Sequence, residues 1–327
     1  MQDKLIVAKP LPPKQCLSII FCHEIKLLSI CKPAGGIVFY PVAIMKQILY
    51  FLAVLLACSS CRQQATSPKA PPKMPAARYS TIKTTYRALT ARDSIKNLAK
   101  YYTADQQRIL QAVNRADMAH LTAMDSVLMP ADLAGNIQQY SPFPQQLPAL
   151  QQVRKLIFFS YPAQYFGAYE YGQLVYSGPT NMGREKDKTP TGLFYTNWKA
   201  EETRSTFNDE WELKWNFNIE NKEGVGWHQY AMPGYPASHS CLRLLEADAQ
   251  YLFTWADVWQ LKGDNIIKYG TPVLVFGVYP FGSPRPWWQL ITNPAALNIN
   301  ASTLDGEVNP HLEDIYSKQQ KRDSLKN

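Results

Sequence analysis

Between Glu210 and Glu220 apolar and polar residues alternate with a period of two. Trp211, Leu213, Trp215, Phe217 and Ile219 fall on one face, and Glu212, Lys214, Asn216 and Asn218 on the other. Period two over this length predicts a strand with one buried face. The apolar runs Lys155 to Tyr161, Gln173 to Ser177 and Pro272 to Tyr279 read as further strands. From Leu245 to Leu261 the period changes, and Tyr251, Leu252, Trp255, Val258 and Trp259 make the apolar stripe of a helix. The expected fold is therefore a mostly β domain over 151–280 with a helix after Cys241. Ahead of it, Leu89, Ile95, Leu98, Tyr101, Tyr102, Ile109, Leu110, Val113, Leu121 and Met124 recur at three-to-four spacing, which predicts a small helical subdomain over 84–150. Residues 281–327 read as a C-terminal extension.

The N-terminal pattern is of another kind. Met45-Lys46-Gln47 leads into an apolar run from Ile48 to Ala57, then Cys58-Ser59-Ser60-Cys61. A basic start, a short hydrophobic stretch and small residues make a secretory signal, too short to span a bilayer as a mature helix. Residues 1–44 fit no part of it and read as upstream translation from a misplaced start. Residues 62–80, rich in Pro, Ala and Lys, have almost nothing to bury, so 58–83 is expected to be a flexible tether.

Charge changes the picture little. The full chain carries 34 basic and 26 acidic residues, a net of +8. Without residues 1–57 the balance is about +4, and with no basic cluster or nucleic-acid motif no nucleic-acid partner is expected.

Cysteine usage changes it more. Cys16, Cys22, Cys31, Cys58 and Cys61 all precede residue 62, which leaves Cys241 alone in the rest of the chain. It cannot form a disulfide within that region, and it sits in Ser238-His239-Ser240-Cys241-Leu242-Arg243 with His228 upstream. That is a thiol with two candidate bases. An isolated thiol is mostly protonated at neutral pH, and an imidazole that takes its proton would leave a populated thiolate–imidazolium pair. His228, His239 and Cys241 lack a fourth ligand for zinc, so neither metal nor cofactor is expected.

Taken in order, these landmarks resemble the L,D-transpeptidase (YkuD-type) catalytic domain family of bacterial peptidoglycan enzymes. The family's His … Ser/Thr-His-Gly-Cys-x-Arg/Asn signature reads here His228 … Ser238-His239-Ser240-Cys241-Leu242-Arg243. Upstream stand Ser177-Gly178 and Thr189-Pro190-Thr191-Gly192, and downstream Gly270-Thr271-Pro272-Val273. Leu55-Leu56-Ala57-Cys58 likewise resembles a bacterial lipobox over 45–57, and Asn114-Arg115-Ala116-Asp117 with Leu121, Asp125 and Val127 resembles the second half of a LysM glycan-binding module, without its first strand.

The resemblance implies an L,D-transpeptidase-like β-sandwich. Cys241 would be the nucleophile and His228 the general base, with His239 and Ser240 shaping the oxyanion site and Ser238 and Arg243 meeting substrate. It also implies peptidoglycan stem peptides as partners, a thioester intermediate, a membrane held through a lipid on Cys58, and a periplasmic or envelope location. Two departures stand out: Ser240 replaces the signature glycine, and the loop between the histidines is short. If that position needs φ > 0, serine costs on the order of 1 kcal/mol. Two other readings stay open, a noncatalytic wall-binding lipoprotein on the same fold and an L,D-carboxypeptidase that uses water as acceptor.

Overall fold

A computed structural model describes residues 76–204 and 212–325. The described chain begins with β1 (Tyr86–Leu89), α1 (Arg92–Lys96), α2 (Leu98–Tyr101), α3 (Ala104–Asn114), α4 (Met118–Ala123) and β2 (Val127–Pro130). The β domain follows as β3 (Leu156–Ser160), β4 (Tyr165–Glu170), β5 (Gln173–Asn181), β6 (Gly192–Tyr195), β7 (Lys199–Arg204), β8 (Glu212–Glu220), β9 (Val225–Gln229) and β10 (Leu242–Leu244). Then come α5 (Glu246–Trp255), β11 (Gln260–Lys262), β12 (Asn265–Lys268), β13 (Pro272–Phe276), α6 (Ala301–Val308) and α7 (Leu312–Ser324).

β3 is buried along its whole length because its two faces meet different cores. Ile157 and Phe159 point into one, Leu156 and Phe158 into the other, and on the neighbouring β13 Val273 and Val275 divide from Leu274 and Phe276 in the same way. Alternation between two apolar environments gives an unbroken apolar run, as at Leu-Ile-Phe-Phe. Among the described residues nine strands form one sheet in the order β6-β13-β3-β4-β5-β10-β9-β8-β7. The sheet curls until Trp227 of β9 stacks on Phe159 of β3, with ring centroids 6.4 Å apart. The mostly β domain with helices ahead of it is thus present, and the expected sandwich takes the form of one curled sheet whose halves face each other across a core. The C-terminal residues close the second core through Leu304, Val308 and Ile315.

Three expectations are corrected. The helix after Cys241 ends at Trp255, and Gln260–Lys262 turns into a strand paired with β12. The segment ahead of the sheet is not purely helical, because β1 and β2 pair antiparallel around α1 to α4. The alternation of β8 is broken by a bulge. Lys214 pairs with Gln229 and Phe217 with Trp227, so β8 uses one more residue than β9 over that interval, and Trp215 takes φ 57°. The bulge reverses parity: Phe217 and Ile219 enter the core, while Leu213, Asn216 and Asn218 share the opposite face. Asn216 and Asn218 keep the side of the strand that the alternation gave them, but that side is covered: they are 6% and 4% exposed.

Residues 76–325 lie within one compact unit. Ile109, Val113, Leu128 and Tyr140 of the leading segment belong to the same core as Phe159 and Trp227. The end of the segment read as a tether is held as well: Gln173 Nε2 donates to Ala76 O at 3.1 Å, and Ile82 N donates to Gln139 O at 3.0 Å. The leader, the lipobox and the tether before residue 76 lie outside the described residues. Among the described residues no helix is long and apolar enough to cross a membrane.

Candidate active site

β9 and β10 run parallel, pairing Trp227 with Leu242 and His228 with Arg243. Paired residues in a parallel ladder share a face, so Trp227 and Leu242 enter the core while His228 and Arg243 look the other way. Cys241, one residue ahead of β10, has the parity of Arg243. The curled sheet thus brings His228, Ser238, His239, Ser240, Cys241 and Arg243 to the wall of one cleft. The cleft encloses about 70 Å³ and opens to solvent at its mouth, so a substrate would lie along it and not be engulfed.

His228 Nδ1 lies 3.0 Å from Gln229 O. A carbonyl can only accept, so Nδ1 carries the proton and Nε2 keeps its lone pair, the tautomer a general base requires. The Tyr230 ring meets the imidazole edge-on at 5.8 Å, and the Arg243 guanidinium lies 4.6 Å from the centre of that same ring. Burial, helped by the nearby Arg243 charge and opposed by the hydrogen bond to Gln229 O, lowers the His228 pKa to about 4. Burial also raises the partly buried Cys241 thiol above the ordinary range, with Sγ 4.0 Å from Gly224 O. In the free protein both groups are therefore neutral at pH 7, and the ion pair read from the sequence is not the resting state. The neutral imidazole is free to accept a proton at Nε2.

The turn carrying the thiol is tightly fixed. Ser240 adopts φ 80°, the left-handed conformation in which serine replaces a glycine at a cost. Thr189 Oγ1 donates to Ser240 O at 2.8 Å and accepts from Gly183 N at 2.8 Å. Tyr161 OH donates to Gly183 O at 2.5 Å. Ser238 is buried and donates from Oγ to Cys241 O at 2.5 Å, so its hydroxyl closes the turn and is not free for substrate. His239 Nε2 lies 3.9 Å from Asp187 Oδ2, whose carboxylate also receives Arg184 Nε at 2.5 Å. Arg243 donates to Ala231 O at 3.2 Å. Replacing Ser240 with glycine should remove the strain at φ 80°. Allowing for glycine's freer unfolded chain, we expect a gain of about 0.5–1 kcal/mol in denaturant unfolding. A lower midpoint would show that the turn is unstrained.

Sequence reasoning assigned no role to Tyr161, Tyr230, Asn216 or Asn218. Thr189 was visible within its Thr-Pro-x-Gly element, and its function as a clamp on the cysteine turn emerges only from the fold. The asparagines fall on the polar face that the alternation gave, and only the fold shows that this face lines a cleft.

No curated protein matches the chain. Among solved structures, an L,D-transpeptidase from Stackebrandtia nassauensis aligns at 22% identity and a TM-score of 0.32, over 38% of this chain and 57% of that one. One from Mycobacterium smegmatis aligns at 18% and 0.31, over 38% and 59%. The Enterococcus faecium L,D-transpeptidase C442S mutant aligns at 24% and 0.30, over 38% and 50%. The chain thus spans between half and three-fifths of the length of these structures. A family model matches residues 154–275, from the residues leading into β3 to β13, and includes both His228 and Cys241. The family that this region matches is the YkuD type, the L,D-transpeptidase catalytic domain.

Proposed function

We propose that the chain is a cysteine L,D-transpeptidase acting on peptidoglycan tetrapeptide stems. The observation that carries this reading is the convergence of Cys241 and a correctly tautomerised His228 on one cleft. As Sγ attacks the carbonyl of the stem's third residue, His228 Nε2 takes the thiol proton, which leaves an imidazolium and a tetrahedral oxyanion. The backbone N–H groups of Ser240 and Cys241 are the donors for that oxyanion. Collapse breaks the bond to the fourth residue, and the imidazolium returns its proton to the departing D-Ala amine. The resulting thioester is opened by an amine of a neighbouring stem, whose surplus proton passes to His228. A buried neutral pair suits this sequence, because charge separates only when a substrate is present to share it. Arg243, held on Tyr230 and beside His228, supplies a fixed positive charge to the cleft for a substrate carboxylate. Retention in the envelope by a lipid on Cys58 completes the proposal.

Incubating purified residues 62–327 with muropeptides and separating the products by mass spectrometry tests it. Cross-linked dimers with loss of one D-Ala are expected. Release of D-Ala without cross-links would favour water as acceptor, and unchanged muropeptides over a folded protein would favour the noncatalytic wall-binding lipoprotein.

A further inference from the structure

One wall of the cleft carries a feature that the nucleophile and base do not use. Asn216 and Asn218, on one face of the strand beyond Trp215, both line the cleft that holds His228 and Cys241. The backbone of Asn218 is fully engaged, its N–H donating to Trp198 O at 3.0 Å and its C=O accepting from Asn197 N at 3.0 Å. Its side-chain Oδ1 is buried and accepts no hydrogen bond among the described residues. A buried, unpartnered amide oxygen is costly, and one that lies on a cleft wall is placed for a donor that enters the cleft.

The chemistry of this wall selects its ligand. A carboxamide is uncharged and offers both donor and acceptor, which matches a peptide group rather than a carboxylate or an ammonium. Residues two apart on a strand lie about 6.8 Å from each other, so the two carboxamides are spaced to meet separate backbone amides of a stem peptide laid along β8. Gly226, opposite Asn218 on β9, lets the two strands approach closely at this point, since a Cβ there would come within 2.4 Å of Phe217 O and 2.9 Å of Asn218 Cα.

We propose that Asn216 and Asn218 form a peptide subsite that grips two backbone amides of the acyl donor on the N-terminal side of the scissile bond and sets its register against Cys241. The assignment rests on the proposed peptide transferase activity and names how that site reads its donor.

The test compares wild-type protein with Asn216→Ala, Asn218→Ala and the bulk-preserving Asn218→Leu. Substrates are a tetrapeptide stem and two analogues in which one backbone amide is replaced by an ester. Iodoacetamide labelling of Cys241 and circular dichroism check that each variant is folded, and Asn218→Leu stands in if the alanine variant is not. Each variant should lose about tenfold in kcat/KM on the all-amide stem, the worth of one neutral hydrogen bond. Each should also become insensitive to the one ester replacement that slows the wild type, a coupling that a structural role would not produce. Equal ester sensitivity in variant and wild type, or full turnover by the variants, would overturn the subsite while leaving the transferase reading intact. A wild-type protein that leaves every peptide unchanged would sink both.

Discussion

Labelling of Cys241 by iodoacetamide should be slow at pH 7 and should rise about tenfold per pH unit past the ordinary thiol range, because only the thiolate reacts and burial pushes its pKa up. Turnover of a bound stem should behave differently. Its base is a neutral imidazole whose pKa is held at about 4, so the acid limb should fall near that value and not near 6.5. Cys241→Ser should abolish turnover, and His228→Gln should lower it by about 10²–10⁴ while erasing the acid limb. The same residue predicts a stability profile. An unfolded His228 titrates near 6.5 and the folded one near 4, so the folded pKa is depressed. Stability held by the neutral ring is complete above about pH 6.5 and is lost as pH falls through 4, a total of about 3 kcal/mol. Denaturant melts of the wild type should show that slope, and His228→Gln should flatten it. Iodoacetamide labelling that stays fast and flat between pH 6 and 8 would mean that a thiolate is already present, and the neutral-pair account would fail.

Much of the site was legible because it is written in adjacent residues. His228 lies on β9, and Arg243 on β10 with Cys241 one residue ahead of it; the core positions of Trp227 and Leu242, both apolar in the sequence, set the face that these residues share. The need for φ > 0 at Ser240 was likewise stated by the residue that departs from the motif. What could not be read depended on long-range geometry. Asn216 and Asn218 keep the side of β8 that the alternation gave them, and only the curl of the sheet makes that side a cleft wall; the bulge at Trp215 moved Leu213 onto it, and a period-two pattern cannot register one inserted residue. Protonation was misjudged for a similar reason: neighbouring residue types suggested an ion pair, whereas burial by distant elements sets both pKa values against it. The strand ahead of the helices, Tyr86–Leu89, is four residues long, too short for its pattern to compete with the helical spacing around it.

Arg108→Ala should destabilise the whole unit by about 3–5 kcal/mol, the loss expected when one member of a buried ion pair is removed. Arg108 lies on α3 of the leading segment, and its Nη2 meets Oδ1 of Asp248 on α5 at 2.6 Å. Asp248 is fully buried, accepts Tyr176 OH at 2.8 Å on the same oxygen, and has Oδ2 without a hydrogen-bond partner among the described residues. Gly178 makes room for it, because a Cβ there would stand 2.8 Å from Oδ2. Burial raises the Asp248 pKa above its ordinary value even with the arginine present, so losing Arg108 leaves a carboxyl that must take up a proton or break open the core. The effect should reach the cleft, since α5 follows β10 and the leading segment grips the loop before Cys241: Asp117 N donates to Met232 O at 3.0 Å, and Met232 N donates to Asp117 Oδ2 at 2.7 Å. Removing both charges, as Arg108→Met with Asp248→Leu, should recover most of the stability, because the penalty belongs to the orphaned carboxylate and not to a missing attraction. Denaturant unfolding of the two single variants and the double one measures this directly. A single variant within 1 kcal/mol of wild type would mean that water reaches Asp248 and that the leading segment is not bound to the catalytic core through this pair.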